Sequence, residues 1–407
     1  MRILYINHYA GSPRHGMEYR PHYMATHWLR MGHDVTVVAA TASHLRQKSP
    51  DTGQDMAEEM VEGVRYVWLK TPAYEANDLR RVLNMASFVA SLYRYRKQLV
   101  ETFMPDVVIA SSTYTWDIFP ARTIARLAGA KLVFEVHDLW PLSPMQLGGM
   151  SRYHPFIVSL QLGEDYACRH ADVVVSMLPY ADGYLSGRGM HPEKFHYVPN
   201  GIDLTEWHSC RESLPAPHRA LLDACHGRGE FVVCYAGSHG ISDALDVLVD
   251  TAQTVRAHPV AFMLVGQGPE KARLREKVEK MGLKNVHLLD PVPKSAIPEL
   301  LRSADCLYIG GMNQPLYEYG ISPNKLMDYM AAGRPIVSAF QARNDLIRQA
   351  GCGFSVGAED AASIARAIVK LMEMPARERE RLGAAGKEYV RANHDYTHLA
   401  RKFLQVL

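Results

Sequence analysis

Short apolar runs alternate with amphipathic helical stretches along nearly the whole chain, and the alternation occurs in both halves of the sequence. Continuous apolar runs of this kind are typical of parallel strands that crossover helices cover on both faces. The predicted strands are Ile3–Ile6, Val35–Ala40, Val64–Leu69, Val107–Ala110, Lys131–Val136 and Val173–Met177, then Phe231–Ala236, Ala261–Val265, Val286–Leu289, Cys306–Ile309, Ile336–Ser338 and Gly353–Val356. Two such series predict two α/β domains, each built on a doubly wound sheet.

The length of 407 residues is sufficient for two domains of ordinary size. The strand pattern breaks after Val198–Asp203, and the segment that follows, to about Gly229, carries the Pro, Gly and charged residues of an interdomain connection. We therefore place the first domain at residues 1–205 and the second at residues 206–387. The remaining residues, 388–407, are predicted to form a C-terminal helix.

The composition excludes several classes of protein. A net charge of +2 leaves no excess of basic residues for nucleic-acid binding. No apolar run reaches the roughly 18 residues that a membrane span requires, and the N-terminus becomes polar too early for a signal peptide. No Cys-x2-Cys pair is present, so we expect reduced thiols in a cytoplasmic protein at Cys168, Cys210, Cys225, Cys234, Cys306 and Cys352.

One predicted helix in the second half has both of its ends specified by the sequence. Ser322 is a good N-cap, and Pro323 suits the first helical position. Gly333 suits the C-terminal end, and a buried strand is predicted directly afterwards.

The start of this helix is a natural anion site, because the N–H groups of a first helical turn have no partners within the helix. The residues Ile321, Ser322, Asn324 and Lys325 surround that turn. Asp328 follows about 7–8 Å further along the axis, at about 1.5 Å per residue. This spacing matches the distance between the diphosphate and the ribose of a nucleotide, so the helix is predicted to bind both groups.

Three loops of the second half follow predicted strands. Gly237, Ser238 and His239 lie between a strand and a helix, an arrangement that can cradle phosphates. Gly266 and Val292 lie in the loops after the next two strands. Ordinary turns would explain the loops at Gly266 and Val292 as well, so both the donor-binding and the turn interpretation stay open.

Two loops of the first half carry polar residues where parallel strands end, which is where ligands bind in open α/β sheets. The residue His137 ends the strand Lys131–Val136, and its imidazole can donate to a sugar hydroxyl or a phosphate. A buried structural histidine is the alternative. The other candidate residues, from the long first loop and from the position after His137, are Gly11, Gly16, Glu18, Arg20 and Asp138.

The segment around Asp328 resembles the donor-binding segment of glycosyltransferase family 4, in which a Glu-x7-Glu pattern runs into a Glu-Ala-Met-Ala-x-Gly-x-Pro-Val helix. Asp328 stands at the second Glu of that pattern. Gly320 stands at the first, and the nearest acid is Glu318. The segments Asn-His-Tyr and Gly-Met-Glu-Tyr-Arg-Pro near the N-terminus resemble a subset that transfers amino sugars in bacterial surface polysaccharide assembly.

The resemblance covers nearly the whole chain and implies the GT-B fold, with two Rossmann-like domains facing across a cleft and a C-terminal helix that crosses back to the first domain. It implies a retaining transfer from a UDP-sugar, an N-acetylated hexosamine or deoxyhexosamine. The second domain would bind the donor, with the base near Val292. The first would bind the acceptor, with His137 touching the sugar or the acceptor and Glu18, Arg20 and Asp138 on the acceptor side.

Most members of the family carry an Arg and a Lys after the first glycine of the donor loop, and this chain has neither between Gly237 and Ala244. We expect Lys325 to replace them as the cation that neutralises the diphosphate. Glu318 is kept as a catalytic candidate because it is the nearest acid to the missing first Glu. No Asp-x-Asp pair is present, which favours catalysis without a metal or other cofactor.

The stretch 79–97 is predicted to be helical, apolar in its middle and basic at both ends. It could lie on an anionic membrane surface, which would suit a polyprenyl-diphosphate-linked acceptor. It could equally be a helix packed on the first sheet. The expected location is therefore the cytoplasm, with peripheral contact to the inner face of the cytoplasmic membrane left open.

Two further functions stay open. A sugar-nucleotide epimerase of the same fold would turn over without an acceptor. A non-catalytic subunit of a glycosylation complex would bind nucleotide without turnover, and the departures at Gly320 and after Gly237 motivate that alternative.

Overall fold

The computed structural model describes residues 1–50, 52–74, 79–209 and 212–407. The described residues form two compact units. The first comprises Met1–Asn200, Tyr319–Ser322 and Tyr396–Leu407, and the second comprises Gly201–Glu318 and Pro323–Asp395.

The first unit contains eight strands among its described residues: β1 (Arg2–Ile6), β2 (Asp34–Ala40), β3 (Met56–Val61), β4 (Val64–Leu69), β5 (Val107–Ala110), β6 (Lys131–Val136), β7 (Val173–Ser176) and β8 (Phe195–Tyr197). They form one sheet in the order β3-β4-β2-β1-β5-β6-β7-β8, parallel except for the β3–β4 pair. The helices between them are α1 (Arg20–Arg30), α2 (Leu79–Phe103), α3 (Ile118–Ala128), α4 (Leu142–Gln146), α5 (Pro155–His170) and α6 (Asp182–Gly187).

The described residues of the second unit form six strands: β9 (Phe231–Ala236), β10 (Val260–Val265), β11 (Val286–Leu289), β12 (Cys306–Gly310), β13 (Ile336–Ala339) and β14 (Gly353–Ser355). They form a parallel sheet in the order β11-β10-β9-β12-β13-β14. Its helices are α7 (Leu204–Ser209), α8 (Ala216–Gly227), α9 (Leu245–Thr254), α10 (Lys271–Lys280), α11 (Ile297–Ser303), α12 (Asn324–Ala332), α13 (Leu346–Ala350), α14 (Ala361–Glu373) and α15 (Ala376–Asn393).

The predicted α/β class and its two doubly wound sheets are confirmed, and each of the twelve predicted strands is present within a residue or two of its expected ends. The sequence pattern missed β3 and β8. Strand β3 lies at the sheet edge and is only partly buried, so it lacks the continuous apolar run of a central strand. The segment expected to be a plain connection is largely helical, as α7 and α8.

The C-terminal segment differs from the prediction in where it begins. Residue 388 lies inside α15 of the second unit, and the helix that joins the first unit is α16 (Tyr396–Leu404). The ring of Tyr396 stacks on Tyr23 of α1 at 5.1 Å, and Trp28 donates to the carbonyl of Ala400 at 3.0 Å. The first boundary lies after Asn200 rather than at residue 205.

Helices cover both faces of each sheet, and the strand residues between them form the core. Five cysteines are buried and carry free thiols: Cys168, Cys225, Cys234, Cys306 and Cys352. The sixth, Cys210, lies outside the described residues.

Candidate functional site

Two glycine-rich loops pack directly on each other at the carboxyl edge of the second sheet. They follow the neighbouring strands β9 and β10, and backbone bonds of 3.0 Å join Gly237 to Val265 and His239 to Gln267. A Cβ added at Gly266 would overlap the carbonyl oxygen of Gly237. Backbone packing therefore requires glycine at position 266, independently of any contact that this residue makes with a donor.

Lys325 brings an ammonium group to the first of these loops. Its Nζ donates to the hydroxyl of Tyr235 at 2.7 Å and to Oδ1 of Asp243 at 2.5 Å. A Cβ built on Gly237 would lie 2.9 Å from that nitrogen. The first turn of α12 therefore places an ammonium group beside a loop that has no Arg or Lys between Gly237 and Ala244.

The helix α12 begins later than predicted. It starts at Asn324 with Pro323 as its N-cap, so the N-cap prediction for Ser322 is wrong. The hydroxyl of Ser322 instead accepts from the backbone N–H of Asn200 at 2.9 Å, and Asn200 donates to the Ser322 carbonyl at 2.7 Å. The predicted C-terminal end is confirmed, because Gly333 adopts the left-handed conformation with φ of 72°.

Asp328 is half-buried on α12, one turn beyond Lys325. Burial raises the pKa of its carboxyl to about 7; the nearby Lys294 opposes this rise, and Glu206 adds to it. Lys294 donates to Glu206 at 2.8 Å, and burial lowers the pKa of its ammonium group to about 8. The carboxylate predicted to bind ribose therefore shares its surroundings with an ion pair that the sequence analysis missed.

The loop after β11 carries Val292, which packs partly buried against the core. Beside it, the Nζ of Lys271 donates to Asp290 at 2.7 Å and to the carbonyls of Gly266 and Leu289 at 2.9 Å. Lys271 therefore joins the second and third predicted donor loops. Its place at the start of α10 gave no signal in the sequence.

The prediction that His239 contacts the donor requires a correction for its side chain. The imidazole is fully buried, and neither ring nitrogen has a hydrogen-bond partner among the described residues. Burial lowers the pKa of this imidazole to about 4, so the ring is neutral near pH 7. The backbone N–H of His239 donates to the carbonyl of Gln267, and its carbonyl accepts from the N–H of Glu270, both at 3.0 Å.

His137 belongs to a buried polar network where β1, β5 and β6 end side by side. Its Nε2 lies 2.8 Å from the hydroxyl of Ser111 and 3.3 Å from Oε2 of Glu135, which also accepts from Tyr5 at 2.5 Å. An ionised Glu135 favours a proton on Nε2 and leaves the lone pair on Nδ1. Among the described residues, none hydrogen-bonds to that Nδ1.

Arg20 is fully buried and does not line an acceptor surface, which corrects its predicted role. Its guanidinium donates to Glu135 at 2.9 Å and to the carbonyls of Val198 and Pro199 at 2.9 and 2.6 Å. This guanidinium is the main charge that holds the pKa of Glu135 well below its usual range, against the effect of burial. Arg20 therefore positions His137 through Glu135.

The other acceptor-side candidates come from the same edge of the first sheet. Gly11 and Gly16 are buried, and a Cβ on Gly11 would overlap the backbone of Gly16. Glu18 is half-buried and closes this loop through backbone bonds to Tyr9 and Gly11 at 3.1 and 2.8 Å.

Two carboxylates among the candidates are exposed. Asp138 follows His137 directly, at the carboxyl end of β6. Glu318 lies in the short 3₁₀ helix Pro315–Tyr319, and neither a hydrogen bond nor an ion pair to its carboxylate occurs among the described residues.

The helix α2 packs one face into the core and exposes the other. Phe88 and Leu92 are fully buried, whereas Leu79 and Leu83 are 79% and 62% exposed. None of the helices in the described ranges has the length and hydropathy needed to cross a membrane. No group of three or more His, Cys, Asp or Glu side chains able to hold a metal ion occurs within those ranges.

The second unit is therefore an α/β unit with a glycine loop at the carboxyl edge of its sheet, a lysine at the start of α12 and a carboxylate one turn further on. Residues 15–201 match the family model described as a glycosyl transferase 4-like domain, and residues 230–374 match the one described as glycosyl transferases group 1. The chain therefore belongs to the glycosyltransferases of the GT-B fold, and the predicted family is confirmed.

The curated relatives include the putative colanic acid biosynthesis glycosyl transferase WcaI of Escherichia coli (strain K12), 22% identical over 93% of this chain and 92% of the relative. Among solved structures, Anabaena Alr3699/HepE in complex with UDP is 16% identical with a TM-score of 0.68, over 100% of this chain and 99% of that one. Sucrose-phosphate synthase from Thermosynechococcus elongatus is 16% identical with a TM-score of 0.75, over 100% and 98%. These structures share the fold with this protein.

Proposed function

We propose that this protein is a retaining glycosyltransferase that moves a sugar from a UDP-sugar to a glycan or a polyprenyl-diphosphate-linked acceptor in bacterial polysaccharide biosynthesis. The sugar would be an N-acetylated hexosamine or deoxyhexosamine. The observation that carries the proposal is the placement of the Lys325 ammonium against the Gly237 loop. Asp328, one helical turn further along α12, is the candidate partner of the ribose.

The donor is proposed to be held without a metal ion. Lys325 and the backbone N–H group of Ser238 would neutralise the diphosphate, which becomes more negative as the sugar departs, whereas the N–H of Gly237 already donates to the carbonyl of Val265 at 3.0 Å. A cation and oriented amides in a partly buried site stabilise such charge strongly, because water screens them less there.

His137 is the proposed contact with the transferred sugar or the acceptor. Its Nδ1 can accept a hydrogen bond from a hydroxyl while Glu135 holds the ring through Nε2. The leaving phosphate itself could take the proton of the attacking hydroxyl, on the face that it leaves. The protein then contributes mainly by positioning two substrates and stabilising phosphate charge.

The proposals of a UDP-linked donor and of the pathway are supported by the relatives, whereas the proposed amino sugar rests on the resemblance of the N-terminal segments. HepE has been solved with UDP and with UDP-glucose, and WcaI is named for colanic acid biosynthesis. A putative teichuronic acid biosynthesis glycosyltransferase, TuaH of Bacillus subtilis (strain 168), is 25% identical over 57% of this chain and 53% of its own length. The proposal extends these activities to this chain.

A lipid-linked acceptor is supported by the outer face of α2. The exposed Leu79 and Leu83 stand one turn apart, and Arg80 and Lys97 are exposed on the same helix. Apolar and basic groups on one helix surface favour an anionic membrane surface. We propose peripheral contact with the cytoplasmic membrane through residues 79–97.

The test is a thermal-denaturation panel with UDP, GDP, ADP and their sugars on the wild type and on Asp328→Ala. Bound nucleotide stabilises the folded state by about 2.7 kcal/mol at a hundredfold excess over its dissociation constant. We expect stabilisation by UDP species that Asp328→Ala abolishes and that Asp223→Ala, an exposed control on α8, retains. No stabilisation by any nucleotide would refute the proposal.

A UDP-release assay with and without acceptor separates the alternatives. A sugar-nucleotide epimerase would convert the donor without an acceptor and without releasing UDP. A non-catalytic subunit would bind nucleotide and turn nothing over; the departures at Gly320 and after Gly237 motivate this alternative. UDP release that depends on a lipid-linked or glycan acceptor is the expected result.

A further inference from the structure

The carboxylate of Asp243 accepts from Lys325, the cation assigned to the diphosphate, and from a backbone N–H group of the same glycine loop. Oδ1 accepts from the Nζ of Lys325 at 2.5 Å, and Oδ2 accepts from the backbone N–H of Gly240 at 3.2 Å. An ammonium group and a glycine-loop amide are the groups that bind a phosphate oxygen at such sites. Asp243 thus makes, from within the chain, the contacts that an anionic ligand would make.

The ion pair is largely withdrawn from water. The side chains of Lys325 and Asp243 are 24% and 15% exposed, so solvent and salt screen their attraction less than that of a surface pair. The hydroxyl of Tyr235 donates to the carbonyl of Ser238 at 2.5 Å, which directs its lone pair toward the ammonium group. Two of the three N–H bonds of Lys325 are therefore satisfied inside the protein.

We propose that Asp243 is an internal competitor of the nucleotide diphosphate, which holds Lys325 against the glycine loop and limits how tightly donor and product bind. The inference rests on the proposed function, since it deepens the account of the same donor site. A diphosphate that binds there must take Lys325 from Asp243 or share it. The product UDP is thereby released more readily than from a site in which Lys325 had no carboxylate partner.

The sign of the effect distinguishes competition from simple positioning. If Asp243 only positioned Lys325, its removal would weaken nucleotide binding. Competition predicts the opposite, because the substitution removes a negative charge beside a diphosphate and frees the ammonium group. At the separations of this site a like charge is costly, so we expect the affinity for UDP to rise about tenfold.

The experiment is isothermal titration of UDP and of inorganic pyrophosphate into the wild type, Asp243→Asn and Asp243→Ser. The matched control is Asp250→Asn, which removes a carboxylate from the same region that pairs with Lys277 at 2.7 Å. Thermal denaturation confirms that each variant is folded. We expect both Asp243 variants to bind both probes more tightly and the control to bind as the wild type does.

A second arm tests whether the competition is for Lys325. In a Lys325→Met background, the gain from Asp243→Asn should shrink, since the contested cation is gone. Tighter pyrophosphate binding by Asp243→Asn without any binding of UDP would support this inference while refuting the proposed UDP-sugar donor. Unchanged or weaker binding of both probes in the folded Asp243 variants would overturn the inference, even if the wild type binds UDP as proposed.

Discussion

The substitution Arg20→Met tests whether the charge at this position is structural or faces the acceptor. In the structure Arg20 and Glu135 are both fully buried, and their ion pair spans 2.9 Å. Methionine keeps most of the volume and removes the charge. We expect the first unit to lose stability because Glu135 would remain as an uncompensated buried carboxylate.

The expected loss is large because of what the substitution leaves behind. Removal of one partner of a buried ion pair costs about 3–5 kcal/mol in unfolding free energy. The carbonyls of Val198 and Pro199 also lose their donor. Tyr5 and Ser111 still donate to Glu135, at 2.5 and 2.6 Å, so the cost should stay within that range.

Urea denaturation followed by tryptophan fluorescence measures this loss. Four of the five tryptophans belong to the first unit, namely Trp28, Trp68, Trp116 and Trp140. The control is Arg14→Met, whose ion pair with Glu59 is exposed on the arginine side. An exposed pair contributes about 1 kcal/mol or less, so this control should unfold close to the wild type.

The pH dependence of unfolding stability provides a second readout, because its sign should differ between the wild type and Arg20→Met. In the wild type the pKa of Glu135 is depressed, so its contribution is present above its ordinary value of 4.5 and is lost as pH falls. Without Arg20, burial should raise that pKa, and stability should instead fall as pH rises above 4.5. A loss below about 1 kcal/mol in Arg20→Met would refute the buried-pair reasoning.

Three further predictions concern the donor loops, the metal and the membrane. Gly266→Ala should weaken UDP binding and lower the melting temperature, because its Cβ would overlap the Gly237 carbonyl. The control Gly282→Ala, whose Cβ would enter open space, should lower the free energy of unfolding by only about 1 kcal/mol. EDTA should leave the rate of UDP release unchanged, and a loss that Mg²⁺ restores would contradict metal-free catalysis. Leu83→Ser should reduce sedimentation with anionic vesicles several-fold. The control Leu127→Ser, at an exposed leucine of α3, should sediment as the wild type does. Equal sedimentation of both variants would argue against membrane contact through α2.

The strands of both sheets could be predicted because a buried parallel strand is apolar along its length, which is a local property of sequence. The edge strand β3 was not predicted because its partly exposed residues include Glu58 and Glu59. The end of α12 at Gly333 was predictable, since a left-handed C-cap favours glycine. Its start was not, because the hydroxyl of Ser322 bonds to Asn200, which is 122 residues distant in sequence.

The candidate site likewise contains some residues that were predictable from local sequence and others that depend on distant partners. Lys325 could be named because the glycine loop lacks a cation and α12 has one in its first turn. Its partner Asp243, 82 residues earlier, could not be named from any local pattern. A charged Glu135 inside an apolar strand was a usable signal of a buried ion pair, but the sequence did not identify Arg20 as its partner.

The sequence by itself determined the two-domain α/β class, the central strands and the glycine-rich loops, because periodicity and backbone chemistry act over a few residues. The tertiary structure decided which charges meet: Lys325 with Asp243, and Arg20 with Glu135. Such pairs form only when packing brings distant segments together and removes water from them. That burial makes Arg20 a structural residue and leaves Lys325 beside the loop that is proposed to bind the donor.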